Sequence, residues 1–199
     1  FTCEEERRLA QCTFNPYNCH EAIAPLGITV PSGDCTHQEQ TFLSHFPHLK
    51  KGAFLLFLSR IHEKKGLDLL LQALAEMSRD LPQLAIAGPA ESSTYLNQLK
   101  QLETKIASKH HGWKITWTGM LTGNLKWGAL RTAEAFVLPS HQENFGIAVV
   151  EALAVGTPVL LSRKVNIWRE IVENESGIAE DDTISGTIKV LSQWNALDI

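Results

Sequence analysis

The chain has 199 residues, of which 44% are hydrophobic and 20% charged, with a net charge of −4. That is chain enough to bury the core of one domain, alone or with a piece of another, and the charge leaves no footprint for nucleic acid. No apolar run approaches the length of a membrane span, and Phe1–Gln11 carries none of the regions of a signal peptide.

Residues 1–50 are irregular. Glu4-Glu5-Glu6-Arg7-Arg8 predicts the start of a short helix with Thr2 as its cap. Pro16, Pro25, Gly27, Pro31, Gly33 and Pro47 then break the chain repeatedly. Ala24–Val30 is expected as a short edge strand. All four cysteines (Cys3, Cys12, Cys19, Cys35) fall in this segment. Cys19, His20, Cys35 and His37 match no common zinc spacing, so the cysteines are read as free thiols of a reducing compartment. His20, His37, His45 and His48 are read as solvated or structural.

From Gly52 the pattern is regular. Ala53–Leu58 is a continuous apolar run, as in a strand covered on both faces. Leu67, Leu70, Leu71, Leu74 and Met77 follow at helical spacing. Leu84–Ala87 is the next strand, and Leu96, Leu99, Leu102 and Ile106 mark the next helix. Lys114–Trp117, Ala135–Leu138, Val159–Leu161 and Gly177–Ala179 continue the strands. Leu125–Thr132, Ile147–Val155, Val165–Val172 and Thr183–Leu191 continue the helices. Short apolar strands alternating with helices predict an open α/β sheet of parallel strands, with helices on both faces. Such sheets bind ligands at the carboxyl ends of their strands.

Three of the loops there carry chemistry. After the first strand, Arg60 and Lys65 suit a phosphate or diphosphate, Arg as a fork and Lys as a mobile charge. The same residues also fit a solvated charged loop. After the third, Thr118-Gly119-Met120 can offer backbone groups to a base edge, or be a plain turn. After the fourth comes Pro139–Pro158, PSHQENFGIAVVEALAVGTP. Gly146 allows close backbone approach, and the N–H groups near Gly146, Ile147 and Ala148 can point at a diphosphate at a helix N-terminus. Glu143 lies in the loop and Glu151 about one turn into the helix. Glu151 can accept from ribose hydroxyls or simply favour the helix dipole; Glu143 can face a ligand or solvent.

Together these motifs resemble the C-terminal domain of a retaining glycosyltransferase of the GT-B fold, in the group 1 family. Glu143-Asn-Phe-Gly-Ile-Ala-Val-Val-Glu151 is similar to its Glu-x7-Glu signature. Leu138-Pro-Ser, Glu151-Ala-Leu-Ala-Val-Gly-Thr-Pro-Val, Ser59-Arg60-Ile-His-Glu-Lys-Lys65-Gly66, Ile86-Ala-Gly-Pro89 and Trp117-Thr-Gly119 also look like family motifs. The resemblance covers about Leu55–Gly177. It implies a Rossmann-like sheet that binds a nucleotide-sugar. Arg60 and Lys65 would hold the diphosphate and stabilise the leaving group. Glu143 would face the sugar, and Glu151 would bind ribose. Phe145, Gly146 and Ile147 would line the phosphate and sugar site through their backbone, and Met120 would touch the base.

The family needs no divalent metal and no cofactor, because cations and the helix dipole supply the electrostatics. Three positions depart from the pattern. Ser59 and Asn144 stand where Gly is common, and the stretch Val165-Asn-Ile-Trp-Arg replaces a Gly-Gly-containing loop on the acceptor side, while the Glu that follows such a loop is kept as Glu170.

Glu4–Arg8, Tyr17 and Pro25-Leu-Gly27 resemble the end of the family's N-terminal domain. The expected division is 1–50 as domain tail and interdomain connection, and 51–199 as the nucleotide-sugar-binding domain. The chain is thus expected to be a fragment that binds nucleotide weakly and transfers no sugar alone. The acceptor, a carbohydrate or a lipid-linked one, would be bound through the other domain. The full-length protein would be cytoplasmic, with room for peripheral membrane association. The competing reading is a non-catalytic nucleotide-binding scaffold of the same fold. A GT-B nucleotide-sugar epimerase would require a different set of acids and His around the pocket.

Overall fold

The computed structural model describes residues 1–77, 81–111 and 113–197. Its centre is a six-stranded sheet of order β3-β2-β1-β4-β5-β6. The strands are β1 Phe54–Leu58, β2 Gln83–Ala87, β3 Ile115–Gly119, β4 Ala135–Leu138, β5 Val159–Ser162 and β6 Gly177–Glu180. Every pairing is parallel. Parallel strands buried on both faces need no polar alternation, and Phe54–Phe57 and Ala135–Leu138 are accordingly buried along their whole length.

The helices are α1 Glu4–Thr13, α2 Cys35–His45, α3 Leu67–Glu76, α4 Ser93–Lys109, α5 Gly123–Thr132, α6 Ile147–Ala154, α7 Trp168–Glu173 and α8 Ile184–Asn195. Right-handed crossovers dictate their layers. The β1-α3-β2-α4-β3 half moves outward in one direction. The chain then crosses back through α5 to β4, on the far side of β1, and moves the other way. Helices of the two halves therefore cover opposite faces. For the helices between strands this holds, α3 packing on α4 and α5 on α2 and α6, while α8, after the last strand, returns to the first face and packs on α3. The neighbours β1 and β4 are where the direction reverses, and a crevice opens there between their carboxyl ends.

Several local expectations shift. The first helix has Cys3, not Thr2, at its cap position. The Thr2 N–H and hydroxyl instead reach forward to the Glu6 carboxylate, at 2.6 and 2.8 Å. Ala24–Val30 forms no strand; the Ala24 N–H donates to the Phe1 carbonyl at 2.8 Å, and Val30 packs on the core. The segment Val165–Ile167 is a turn, and α7 starts at Trp168. The last helix runs on to Asn195 and buries Trp194, whose indole N–H donates to Glu134 at 2.8 Å.

The largest addition is α2, inside the segment read as irregular. Asp34 caps it by accepting from the Thr36 N–H at 2.8 Å, and it buries only Gln38 and Phe42. Those two residues make one narrow contact stripe against α5. The approach is so close that a Cβ on Gly128 would lie 2.2 Å from the Gln38 carbonyl oxygen.

Candidate functional site

The crevice is built from the loops after β1 and β4. The loop after β1 turns once as a 3₁₀ helix, Glu63–Lys65, capped by His62, whose Nδ1 accepts from the Lys64 N–H at 3.1 Å. Gly66, at φ +67, then starts α3. A Cβ there would fall 2.0 Å from the Pro139 carbonyl oxygen, so glycine is what lets the two loops touch. They are also stitched by hydrogen bonds. The Lys64 carbonyl accepts from the Ser140 hydroxyl at 2.8 Å and from the His141 N–H at 2.9 Å. Buried Ser140 gives its own carbonyl to the Ser162 hydroxyl of β5.

Across that junction the Lys65 ammonium meets the Glu143 carboxylate. Glu143 is fixed from behind as well. Its N–H donates to the Lys164 carbonyl and its carbonyl accepts from the Asn166 N–H, both at 3.0 Å, as a short parallel bridge to Val165. Gly146, at φ +74, then turns the chain into α6 with no side-chain cap. The first N–H groups of α6 are thus left for water or an anion. Phe145 packs on the core beneath, while Ile147 stands exposed at the helix start.

One turn into α6, Glu151 receives the Lys126 ammonium of α5 at 2.7 Å. Arg60 is engaged elsewhere, at 2.5 Å from Glu91 in the loop after β2. That pair is loose, with side chains 60% and 40% exposed, against 13% and 20% for Lys65 and Glu143. Met120, just past β3, is 70% exposed.

The structure therefore joins Lys65 to Glu143 beside the α6 N-terminus and sets Glu151 in the next turn. It holds the Arg60 head on Glu91 and leaves the Met120 side chain in solvent. Glu143 and Glu151 each have their own lysine, Lys65 and Lys126.

Sequence reasoning missed Lys126, Glu91 and the groups that hold Asn144. Asn144 Nδ2 donates to Glu6 of α1 at 2.8 Å, and its Oδ1 accepts from Asn166 at 3.0 Å. The Thr2 N–H, and then Asn144, hold the Glu6 carboxyl below the usual carboxylate range. Glu6 lies 138 positions from Asn144, and no local pattern reports such a contact.

Glu6, Leu9, Gln142, Glu143, Asn144 and Asn166 line a cleft of about 410 Å³ on the Glu143 side. A larger groove, about 740 Å³, runs between α3 and α4 and meets the crevice only at its rim, through Glu63, Lys64 and His141. Among the described residues no three or more His, Cys, Asp or Glu side chains gather as a metal site. Among them, no helix is long and apolar enough to cross a membrane.

A parallel sheet of this order, with an ion pair and an uncapped helix start at its switch point, defines a Rossmann-like α/β domain. The chain belongs to the family described as glycosyl transferases group 1, whose profile matches residues 40–191. An uncharacterized glycosyltransferase of Methanocaldococcus jannaschii is 33% identical over 147 residues, covering 70% of this chain and 36% of that protein. Among solved structures, sucrose-phosphate synthase from Thermosynechococcus elongatus superposes with a TM-score of 0.75 at 18% identity, over 98% of this chain and 48% of that one. Anabaena HepE, solved with UDP and glucose, gives 0.66 at 18% identity, over 80% and 43%. The chain thus spans about a third of the length of that curated relative and less than half of those two solved chains.

Proposed function

We propose that this chain is the donor-binding half of a retaining glycosyltransferase that moves a hexose from a nucleotide-sugar to a glycan, lipid or other acceptor. The observation that carries the reading is the Lys65–Glu143 pair, held at the β1/β4 switch point beside the uncapped start of α6. The HepE complex with UDP and glucose supports a nucleoside diphosphate and a hexose as the ligand class.

In this reading the diphosphate lies against Lys65 and the first N–H groups of α6, around Gly146 and Ile147. Arg60 leaves Glu91 to join it. An exposed ion pair is worth only about 0–1 kcal/mol, so a diphosphate takes the guanidinium over at small cost. As the bond from sugar to phosphate lengthens, negative charge builds on the leaving diphosphate. Lys65 and the helix start already stand beside it, and Arg60 has joined them on binding, so the charge meets donors that are in place before the bond breaks. Glu143, fixed by its backbone on both sides, presents its carboxylate to the sugar. Glu151 accepts from the ribose hydroxyls. Met120, exposed before a ligand arrives, covers the base. The charge is carried by these residues without a divalent metal. The acceptor binds through a further domain, and the whole protein works in the cytoplasm.

Titrating the chain with UDP, GDP, ADP and their hexose conjugates tests this. One nucleotide should bind. Glu151→Gln should weaken the bare nucleotide and the nucleotide-sugar alike, by about tenfold or more, as expected for hydrogen bonds to a charged group. Glu143→Gln should spare the bare nucleotide and weaken only the conjugate. Equal losses for both ligands in both variants would refute the division of roles. No binding of any nucleotide would leave the scaffold reading in its place.

A further inference from the structure

We propose that Lys126 is a positioning residue for the nucleotide: it holds the Glu151 carboxylate by one oxygen and leaves the other for the ribose diol. The inference rests on the donor reading above and adds to it a residue that lies outside every motif of the crevice.

Lys126 is placed rigidly. It is the fourth residue of α5, which starts at Gly123 beyond β3. The next three residues, Trp127, Gly128 and Ala129, are buried, so α5 cannot rotate without breaking the core. The Lys126 ammonium lies over Trp127, 4.7 Å from the ring centroid. From there Nζ reaches Glu151 Oε1 at 2.7 Å, with the two side chains 24% and 14% exposed. Among the described residues Glu151 Oε2 accepts no hydrogen bond, and it is not sealed from solvent. Side chains on a helix tilt toward its N-terminus. Glu151 therefore points back to the turn that opens the crevice, not away from it.

The charge arithmetic explains why a lysine is used. A diphosphate must settle in a crevice that already holds two carboxylates, Glu143 and Glu151. An uncompensated carboxylate there would repel the ligand or take up a proton, and a protonated one would no longer accept from both ribose hydroxyls. Lys65 neutralises the first acid and Lys126 the second. Lys65 also faces the phosphates. Lys126 is drawn to the other flank by Trp127, which leaves it to hold Glu151.

The test compares each of UDP, GDP and ADP with its 2′,3′-dideoxy analogue, in wild type, Lys126→Met, Lys126→Arg and Glu151→Gln. Wild type should prefer the ribonucleotide by about tenfold, the worth of hydrogen bonds to a charged acceptor. In Lys126→Met that preference should fall toward one, whatever happens to the absolute affinities, and Lys126→Arg should restore most of it. Glu151→Gln should abolish the preference too, and Lys126→Met should add nothing to that loss in the double variant. A Lys126→Met protein that melts like wild type and keeps the tenfold preference would overturn the proposal. So would a Lys126→Arg protein that behaves as Lys126→Met does. Wild type that binds no nucleotide would sink the donor reading itself, and this inference with it.

Discussion

Gly66→Ala separates two costs that usually come together. Gly66 has φ +67 and Gly52 has φ +70, so an L residue pays a similar backbone penalty at either, about 1–2 kcal/mol. At Gly52 an added Cβ meets nothing within 4 Å. At Gly66 it meets the Pro139 carbonyl oxygen at 2.0 Å and the carbonyl carbon at 2.8 Å. Both are backbone atoms of the loop after β4, and no rotamer change can clear them. The loops must separate by more than an ångström, which breaks the bonds from Ser140 and His141 to the Lys64 carbonyl. We therefore expect Gly52→Ala to cost about 1 kcal/mol and Gly66→Ala about 3–4 kcal/mol, the range of disruptive single substitutions. For a chain of this size each kcal/mol is worth about 2–4 °C, so the two melting points should differ by roughly 4–12 °C. Lys65 and Glu143 straddle the same junction, so Gly66→Ala should also lose nucleotide affinity while Gly52→Ala keeps it. Melting curves and a nucleotide titration read both effects. Equal melting shifts, or full affinity in Gly66→Ala, would refute the claim that close loop contact builds the crevice.

Gly128→Ala, in mid-helix, should raise intrinsic helix propensity by about 1 kcal/mol. Because its Cβ would strike the Gln38 carbonyl at 2.2 Å and Phe42 Cβ at 2.7 Å, it should instead destabilise the protein and expose α2 first, seen as loss of amide protection across Cys35–His45 in hydrogen exchange. Glu180, at the end of β6, has its carboxyl held below the usual carboxylate range, first by the hydrogen bond from Lys189 and then by the charges of Lys189 and Arg163. A carboxyl with a depressed folded pKa contributes stability above its unfolded pKa and loses it as pH falls through the folded value. Melting points of the wild type should therefore drop below about pH 4.5 more steeply than those of Glu180→Gln. Parallel curves would show that the Glu180 cluster contributes nothing to acid stability.

The sheet was legible in the sequence because its signal is local. A strand covered on both faces must be apolar along its whole length, and Phe54–Leu58, Leu84–Ala87 and Ala135–Leu138 satisfy that without help from the rest of the chain. Their alternation with helical spacing then leaves few topologies. The missed helix shows where this ends. Cys35–His45 buries only Gln38 and Phe42, so its periodicity is almost blank. It is held by a cap at Asp34 and by the absence of a side chain at Gly128. That second cause lies some ninety residues away, in another element.

The crevice divides in the same way. Glu143, Gly146, Glu151, Arg60 and Lys65 could be placed from motif and loop position, because the carboxyl ends of parallel strands are where such sheets bind. Their partners could not. Lys126 and Glu91 are ordinary charges on ordinary surfaces until the fold brings them to Glu151 and Arg60. Yet the partners decide how each motif residue behaves. Arg60 rests on an exposed acid and is cheap to release. Lys65 is locked to Glu143 in a site that is mostly closed, where removing either partner leaves an uncompensated charge. The two cations of one loop are thus unequal: Lys65 belongs to the standing architecture of the crevice, and Arg60 rests on an exposed pair that, in the proposed reading, an arriving diphosphate displaces. A motif alone makes them look like a matched pair.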